Sequence, residues 1–575
     1  MVDEDKKTGN IEEVEEFYAA IDSASLSRKL SPERPYVYVT MELYDRKNGI
    51  GGGGGLGVLA ADTRRVAESS SVPLTVLTPF YPWEPHQEIV DGQQREWHEE
   101  IRWQNFGFEQ IGETWIQTTR GGVRLDVVTK VLGSTRFLCV TEPNFGELYS
   151  DGSGSNHRLY QEVALGFGGY QALKMVGQKP AIIQLNEVAT FFAALARLDE
   201  LVEAGMDFYE AVVYVRKRTL YTNHTLVQAA EAEFTYQQFE QYVFPNVRSS
   251  AVRRWVSNKF RDGKLKLSSI TLEIAELKNG VSKLHARVAN YTDINGERVK
   301  FKAITNGIDM NTWILPEIMD FYHEQLIIDK FELPTDYSVS KIAGIQAGTI
   351  REMKQVGRQR MNAILSMRRN QYGRPIEVPT DALVYQYKRR FVDYKRPWLA
   401  FMDVERLKNI LVENNAYYVF SGKVHMGDTA MYQKLLDLLK IVDQDEVLRE
   451  RAIYISDYDE QVASALSWGG NVTVNVPVVG LEACGTSFMK DIGNMGALIS
   501  TPDGGVADNT PDNYLAVLGK TTDEEAESLY SQMESAARIW GDDTALEELV
   551  RRQLSAYLSV ISGARMLRDY LNYLF

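Results

Sequence analysis

The nonapeptide Glu482-Ala-Cys-Gly-Thr-Ser-Phe-Met-Lys490 (EACGTSFMK) brings a carboxylate, a glycine turn, two hydroxyl side chains and one amine together in a short segment. A lysine that is buried beside Gly485 and Thr486 can bind an aldehyde cofactor as a Schiff base. The backbone of the same turn can hold the phosphate of that cofactor. A solvated loop lysine is the alternative for so short a motif, and the rest of the chain decides between them.

Apolar, β-branched runs alternate along the chain with longer amphipathic stretches, such as Met431–Val442 and Glu460–Ser467, that have a helical pattern. The runs that we predict as strands are Tyr36–Thr40, Leu74–Leu77, Leu125–Val128, Ala181–Leu185, Ala211–Tyr214, Ala382–Tyr385, Ala416–Ser421, Ala452–Ile455 and Val472–Val476. Strand–helix alternation on this scale predicts an α/β protein with doubly wound parallel sheets.

Composition excludes several classes of protein. A chain of 575 residues that is 44% hydrophobic can bury more than one core, and its net charge of −15 argues against nucleic acid or a membrane surface as the main partner. Cys139 and Cys484 are the only cysteines, which excludes a disulfide framework and suits the cytoplasm. The acidic segment MVDEDKKTGNIEEVEEF at the start lacks the apolar core of a signal peptide, and no apolar run is long enough to span a membrane. The histidines are far apart, so we expect no metal site.

Two further segments are typical of anion binding. The glycine run Gly51–Gly55 leads into a helical pattern, and backbone N–H groups at the start of a helix attract anions; a flexible linker is the alternative. The basic stretch Lys388–Arg396 directly follows the predicted strand Ala382–Tyr385, which places its cations where parallel sheets bind ligands. Arginine binds phosphate oxygens bidentately, although an exposed charged stretch is the alternative here.

Together these segments resemble the α-glucan phosphorylases, the family of glycogen, starch and maltodextrin phosphorylases. The nonapeptide is similar to the pyridoxal-phosphate lysine motif of that family, usually EASGTxNMK or EASGTSxMK. Other segments resemble family motifs in family order: Gly54–Gly57 (the glycine loop), Tyr221–Thr225 (TNHT), Val281–His285 (VAKLH), Ile304–Ile308 (TNGI) and Arg390–Lys395 (RxxxYKR). Tyr458 precedes Lys490 at the separation of the family's ring-contacting tyrosine. The resemblance identifies a short, prokaryotic-type member.

The resemblance implies the two-lobed glycosyltransferase-B fold, with two Rossmann-like lobes and the active site in the cleft between them. We place the N-terminal lobe at residues 1–310 and the C-terminal lobe, with the phosphate motif and the cofactor lysine, at 311–555. A C-terminal helix at 556–575 is expected to pack back across the lobes, because Ser562–Tyr570 resembles the terminal FSSxRxxxEY element. We also expect a homo-oligomer, most simply a dimer.

The implied cofactor is pyridoxal 5′-phosphate. The residues implied to hold it are Lys490, Arg389, Tyr458, Gly485, Thr486 and Gly55. The residues implied to act in catalysis are Lys490, Arg390, Lys395 and His224. The residues implied to bind substrate are Gly54, Gly55, Leu56, His224, Asn306, Tyr394, Glu482, Cys484 and Gly485. Arg389 stands where the family has a lysine, so the charge is kept and the geometry changes.

The implied reaction is phosphorolysis with retention of configuration. Inorganic phosphate takes the non-reducing-end glucosyl unit of an α-glucan or maltodextrin and gives α-D-glucose 1-phosphate, with the cofactor phosphate assisting proton transfer. Ala189 replaces an acceptor-side histidine and Cys484 replaces a serine. These departures predict a narrower choice of acceptors, favouring short α-1,4-linked oligosaccharides.

Two other classes of function are alternatives. The stretch Thr501–Asp508 faintly resembles the GGLAD element of nucleotide-sugar-dependent glucan synthases, which share the fold. A catalytically silent glucan-binding protein is the second alternative, and it is favoured only by Ala189 and the altered glycine loop. The Lys490 motif and the segment Tyr221–Thr225 favour the phosphorylase interpretation.

Overall fold

The computed structural model describes residues 30–51, 53–148, 154–226, 232–292, 297–425 and 427–574. The acidic N-terminal segment, Gly52 of the glycine run, residues 227–231 after the TNHT-like segment and the last residue lie outside these ranges.

The first half of the chain forms a large mixed sheet. Its strands and those of two small two-stranded sheets, β3-β4 and β10-β11, are β1 (Tyr36–Val39), β2 (Leu74–Pro79), β3 (Trp83–Val90), β4 (Gln93–Glu100), β5 (Glu109–Thr118), β6 (Gly121–Leu132), β7 (Thr135–Thr141), β8 (Ile182–Asn186), β9 (Thr219–Asn223), β10 (Glu233–Thr235), β11 (Lys264–Lys266), β12 (Leu277–Gly280) and β13 (Lys302–Ala303). The large sheet has the order β13-β12-β9-β8-β1-β2-β7-β6-β5. It is parallel from β13 to β7 and antiparallel at the β7-β6-β5 edge.

The second half forms a smaller sheet that is parallel throughout. Its strands are β14 (Leu383–Lys388), β15 (Ala416–Ser421), β16 (Ala452–Ile455), β17 (Val472–Asn475), β18 (Ala497–Ser500) and β19 (Leu515–Ala516). Their order is β16-β15-β14-β17-β18-β19. Successive strands extend the sheet in both directions from β14, which is the doubly wound arrangement.

Helices connect these strands. In the first half the helices are Gly55–Ser69, Asn156–Val163, Gly169–Met175, Phe191–Glu203, Phe208–Lys217, Tyr236–Gln238, Ser250–Ser257, Leu267–Ile274 and Lys283–Val288. In the second half they are Met310–Trp313, Pro316–Glu324, Ser338–Ile342, Ala347–Leu365, Val404–Glu413, Thr429–Gln444, Glu446–Arg451, Glu460–Gly469, Ser487–Gly493, Thr522–Gly541, Asp543–Ile561 and Gly563–Leu574.

Both faces of each sheet are buried. On β1, Tyr36 and Tyr38 pack into one hydrophobic core, while Val37 and Val39 pack into another on the opposite face. The second sheet behaves in the same way, because Tyr418 and Phe420 of β15 share one core and Tyr417 and Val419 share a different one. Successive side chains of a strand point to opposite faces, so cores on both sides require helices on both sides. The predicted α/β fold with two doubly wound lobes is confirmed.

One predicted strand is wrong. Ala211–Tyr214 lies inside the helix Phe208–Lys217, whose first turn is capped by the Asp207 carboxylate; that carboxylate accepts hydrogen bonds from the backbone N–H groups of Tyr209 and Glu210. Ala211 and Val215 are buried on one side of this helix. The β-branched pair favoured a strand, but the cap and the four-residue spacing of the buried positions favour the helix.

The C-terminal helix Gly563–Leu574 returns to the first sheet. Its residues Met566 and Tyr570 share a small core with Leu59, Leu220 and Ile304. The Tyr570 hydroxyl accepts a hydrogen bond of 3.0 Å from the Asn279 amide on β12. The domain boundaries stay predictions, and residue 556 falls within the helix Asp543–Ile561.

Candidate active site

A cavity of about 640 Å³ is lined by residues that follow strands of both sheets. Glu187 follows β8 and His224 follows β9, whereas Arg389 follows β14. Carboxyl ends of parallel strands are where open α/β sheets bind ligands. The cavity also contains every residue predicted for the site, namely Gly54, Gly55, Leu56, His224, Asn306, Arg389, Arg390, Tyr394, Lys395, Tyr458, Glu482, Cys484, Gly485, Thr486 and Lys490. Their individual roles stay predictions.

Lys490 lies on the short helix Ser487–Gly493 and is buried, with 5% of its surface exposed. Its Nζ atom lies 3.0 Å from the centroid of the Trp313 ring. Burial lowers the pKa of Lys490, while the charges of Asp62 and Glu460 oppose that shift. A buried lysine with a lowered pKa loses its proton readily, and the neutral amine is the form that reacts with a carbonyl compound.

Two hydrogen-bond donors near the turn before Lys490 have no partner among the described residues. Ser487 Oγ and Arg389 Nη1 are both buried without a hydrogen bond. A Cβ atom on Gly485 would come within 2.8 Å of Arg389 Nη2, so a glycine lets this guanidinium approach the turn. Buried donors are normally satisfied, and a phosphate group would satisfy these two. The donor set and the amine together fit an aldehyde that carries a phosphate.

A compact charge cluster forms the next part of the wall. Arg389 Nη2 donates to Glu482 at 2.6 Å, and Lys395 Nζ lies 3.9 Å from the same carboxylate. Burial alone would raise the pKa of Glu482, but Arg389 and Lys395 lower it below its usual value. Burial lowers the pKa of Lys395 to about 7. Arg390 also lines the cavity and is the third cation that acts on Glu482. Because three cations surround one carboxylate, the cluster retains positive charge for an anionic ligand.

The glycine loop lies against this cluster. A Cβ atom on Gly54 would overlap Arg390 Nη2, so glycine lets that guanidinium occupy its observed position. The Gly54 N–H donates to the Glu42 carboxylate at 2.8 Å. In the described state this N–H is therefore satisfied by a carboxylate of the protein, and Arg390 is the cation that the loop accommodates.

His224 lines the same cavity. Its backbone N–H donates to Glu187 Oε1 at 2.7 Å, and its Nε2 lies 3.2 Å from Asn186 Oδ1. Burial lowers the pKa of His224, so the imidazole is neutral near pH 7. A neutral imidazole can donate one hydrogen bond and accept another, which suits the hydroxyl groups of a sugar.

Glu187 was not predicted as a site residue. It lines the cavity, and its backbone has a φ of 66° in the left-handed region, where residues with side chains are strained. Ala189, which was expected on the acceptor side, packs with Val188 into the core of the first lobe. In the segment after β8, the residue whose side chain lines the cavity is therefore Glu187, and Val188 and Ala189 belong to the core.

The hairpin of β3 and β4 also supplies residues that the sequence did not predict. His86 and Gln87 line the cavity, and both contact the second lobe. His86 Nδ1 lies 2.8 Å from Asp457 Oδ2, and Gln87 Oε1 accepts from the Val424 N–H at 3.0 Å. No local motif marks these residues, because their role depends on contacts between distant parts of the chain.

Lys388, at the start of the basic stretch, is paired differently from its neighbours. Its ammonium group is buried and donates to the Asp491 carboxylate, next in sequence to Lys490. Lys388 thus lines the cavity together with Arg389, Arg390 and Lys395, but its charge is paired with a buried carboxylate.

Cys139 and Cys484 are both free and buried. Within the described ranges, no group of His, Cys, Asp and Glu side chains is arranged to bind a metal ion. None of the helices in the described part of the chain is long and apolar enough to cross a membrane.

Comparison with known proteins gives consistent matches. A family model described as carbohydrate phosphorylase matches residues 244–569. The chain is 26% identical over 591 residues to the maltodextrin phosphorylase of Thermococcus litoralis, an alignment that covers 94% of this chain and 70% of that protein. It is 25% identical over 603 residues to the glycogen phosphorylase of Mycobacterium tuberculosis, covering 90% of this chain and 68% of that protein. A glycogen phosphorylase of Aquifex aeolicus is 26% identical over 452 residues, covering 72% of this chain and 65% of that protein.

Proposed function

Because this chain belongs to the carbohydrate phosphorylase family, we propose that it is an α-1,4-glucan phosphorylase that uses pyridoxal 5′-phosphate. Its substrates are an α-glucan or maltodextrin and inorganic phosphate, and its product is α-D-glucose 1-phosphate. The observation that carries the proposal is a single cavity that combines a buried lysine, three cations and neutral hydrogen-bonding groups from both lobes.

Lys490 and the turn before it are the residues that would hold the cofactor. The Lys490 amine would hold the aldehyde carbon, and the unpartnered donors Ser487 Oγ and Arg389 Nη1 would bind the phosphate ester. Tyr458 lines the same cavity and would contact the ring. When bound, the cofactor supplies a phosphate group that acts as an acid–base partner for the substrate phosphate.

Arg390 and Lys395 would bind the substrate phosphate. Two phosphate groups in one cavity repel each other, and fixed cations offset that repulsion more strongly in a site that excludes water. The same cations stabilise the negative charge of the attacking phosphate in the transition state.

His224, Asn306 and Glu482 would bind the hydroxyl groups of the terminal glucosyl unit. Asn306 Oδ1 is buried without a hydrogen bond among the described residues, so it offers an acceptor to a sugar hydroxyl. A site of such donors and acceptors rejects a sugar that lacks the matching hydroxyl, because its buried polar groups would then be unpaired.

In the reaction, the bond between C1 of the terminal glucosyl unit and the glycosidic oxygen breaks. The oxygen keeps the bonding electrons and takes a proton from the substrate phosphate. An oxygen of that phosphate then forms the new bond to C1 from the same face, which retains the α configuration. Cations around the phosphate hold it on that face throughout.

The experiment that tests this proposal incubates the purified protein with maltoheptaose in the presence and absence of inorganic phosphate. We expect α-D-glucose 1-phosphate and maltohexaose only when phosphate is present. Release of free glucose without phosphate would indicate a hydrolase, and glucan synthesis that requires a nucleotide sugar would indicate a synthase.

A further inference from the structure

Asp62, Trp313 and Lys490 form a buried chain of contacts between the glycine-loop helix and the nonapeptide. Asp62 lies on the helix Gly55–Ser69 and is fully buried. Both of its carboxylate oxygens lie 2.9 Å from Trp313 Nε1, which donates to them. The Lys490 Nζ atom lies over the face of the same indole ring, 3.0 Å from its centroid. The indole thus connects a carboxylate at its edge to an amine at its face.

The neighbouring charges have other partners. Arg65 Nη1 lies 3.2 Å from Asp62, but the same guanidinium also pairs with Asp45 and Glu460. Asp309 accepts from the Thr312 hydroxyl, and Lys388 is paired with Asp491. The groups that act on the charge of Lys490 are Asp62, Glu460, Lys388 and Asp491. Asp62 exerts the largest of these electrostatic effects, and it is the carboxylate that contacts the ring beneath the amine.

The arrangement of Asp62, Trp313 and Lys490 affects the charge of the Lys490 amine. The face of an indole attracts a cation, and a carboxylate that accepts its N–H makes the ring more electron-rich. Both effects favour the ammonium form of Lys490. Burial acts in the opposite sense, because it lowers the pKa of Lys490 and raises the pKa of Asp62. The charge of the amine is therefore set by a balance between burial and the carboxylate.

We propose that Asp62, acting through the Trp313 indole, is a positioning residue that sets the charge state of Lys490 and thereby controls the capture of the carbonyl cofactor. This inference rests on the proposed function, since it assumes that Lys490 binds pyridoxal phosphate. Capture requires the neutral amine: its lone pair attacks the aldehyde carbon, the nitrogen loses two protons, and the carbonyl oxygen leaves as water. The C=O double bond is replaced by C=N, and nothing is oxidised or reduced.

The test measures capture of pyridoxal phosphate by the full-length protein after hydroxylamine has removed any bound carbonyl compound. Capture is followed between about pH 5.5 and 9 by the near-ultraviolet absorbance, and the adduct on the Lys490 peptide is quantified by mass spectrometry after borohydride reduction. In Asp62→Asn the ammonium form loses its counter-charge, so the pH profile of the capture rate should move to lower pH by about one unit.

Two matched variants separate the charge of Asp62 from a general effect of substitution. Asp62→Glu keeps the carboxylate and should restore a profile close to that of the wild type. Asp309→Asn makes the same chemical change at a neighbouring buried acid whose carboxylate accepts from the Thr312 hydroxyl, and it should not move the profile to lower pH. If Asp62→Asn fails to fold by circular dichroism, Trp313→Phe is used instead. That variant keeps an aromatic face but removes the N–H that stabilises the Asp62 carboxylate, and its profile should shift in the same direction.

The outcomes distinguish this inference from the function on which it rests. Capture by the wild type with an unchanged or higher-pH profile in the folded Asp62→Asn protein would overturn the role of Asp62 and leave the proposed function intact. No capture by the wild type at any pH would overturn the proposed cofactor, and the inference with it. A shift that Asp309→Asn reproduces would show that no special role belongs to Asp62.

Discussion

The imidazole of His86 in the first lobe lies 2.8 Å from the carboxylate of Asp457 in the second lobe, directly before the cavity residue Tyr458. His86 Nε2 lies 3.3 Å from Glu99, and Lys423 Nζ binds the other oxygen of Asp457 at 2.9 Å. The His86 ring is also stacked on Trp97. The β3–β4 hairpin is thus held to the second lobe by a charged contact at the cavity wall.

The strength of this contact should depend on pH. The hydrogen bond to Asp457 raises the pKa of His86 above its usual value of about 6.5. A raised pKa in the folded state stabilises the protein below about pH 6.5, and the stabilisation is lost as the pH rises through the higher, folded-state value. The difference in melting temperature between the wild type and His86→Asn should therefore shrink between about pH 6 and 9. A difference that stays constant over this range would show that folding does not raise the pKa of His86.

Lys490 should carry the cofactor. After borohydride reduction of the purified protein, mass spectrometry should find a phosphopyridoxyl group on the peptide that contains Lys490, because this amine is buried in the cavity and loses its proton readily. Lys388→Met, which removes the buried neighbour, is the matched control and should leave the adduct on Lys490. An active preparation without any such adduct would contradict the assignment.

Arg390 and Lys395, the cavity cations proposed to bind the substrate phosphate, should be needed for phosphorolysis. Arg390→Ala and Lys395→Ala should each lower the rate at least about a hundredfold, since each removes a charge that stabilises the transition state. The fold should survive, because both side chains line a cavity. Near-normal rates in both variants would mean that the basic stretch has no role in binding phosphate.

Gly54→Ala tests the same prediction without changing a charge. The added methyl group would overlap Arg390 Nη2 and displace the guanidinium, so its phosphorolysis rate should fall toward that of Arg390→Ala. Gly348→Ala is the control, because Gly348 is at an exposed position of the helix Ala347–Leu365 and a Cβ atom there meets open space. If Gly54→Ala retained full activity, the position of Arg390 beside the glycine loop would be irrelevant to catalysis.

Acceptor choice should differ from that of a storage-glycogen phosphorylase. A histidine expected in the segment after β8 is replaced by Ala189, which packs into the core, and Glu187 faces the cavity instead. The loss of a hydrogen-bonding group changes selectivity by about 1–3 kcal/mol, or one to two orders of magnitude. In the synthetic direction, with glucose 1-phosphate as donor, short maltodextrins should be better acceptors than glycogen. Equal efficiency on glycogen would show that these substitutions do not shape the acceptor site.

The sequence predicted the parts of the site that are marked by short motifs at strand ends. Lys490, His224 and Arg390 are of this kind. Each lies within a few residues of a strand or turn that can be recognised from the adjacent sequence. Strands such as Ala416–Ser421 and Ala452–Ile455 were predicted with their observed bounds, since a buried parallel strand is a continuous apolar run.

Residues that act through long-range contacts could not be predicted in this way. Trp313 and Asp62 are 251 positions apart, and His86 and Asp457 are 371 apart. Neither pair has a local signal, because a buried aspartate and a surface aspartate have the same sequence pattern. Ala211–Tyr214 was wrongly predicted as a strand for a related reason. The prediction rested on its β-branched residues and did not take into account the Asp207 cap or the buried face of the helix.

The central claim is that inorganic phosphate is the nucleophile that takes a glucosyl unit in this cavity. It is tested most directly by incubating the protein with maltoheptaose and phosphate labelled with ¹⁸O at all four oxygens, followed by mass spectrometry and ³¹P NMR of the product. We predict α-D-glucose 1-phosphate that retains all four labelled oxygens, including the one that bridges phosphorus and C1. Product with an unlabelled bridging oxygen, or free glucose in place of the phosphate ester, would contradict the claim.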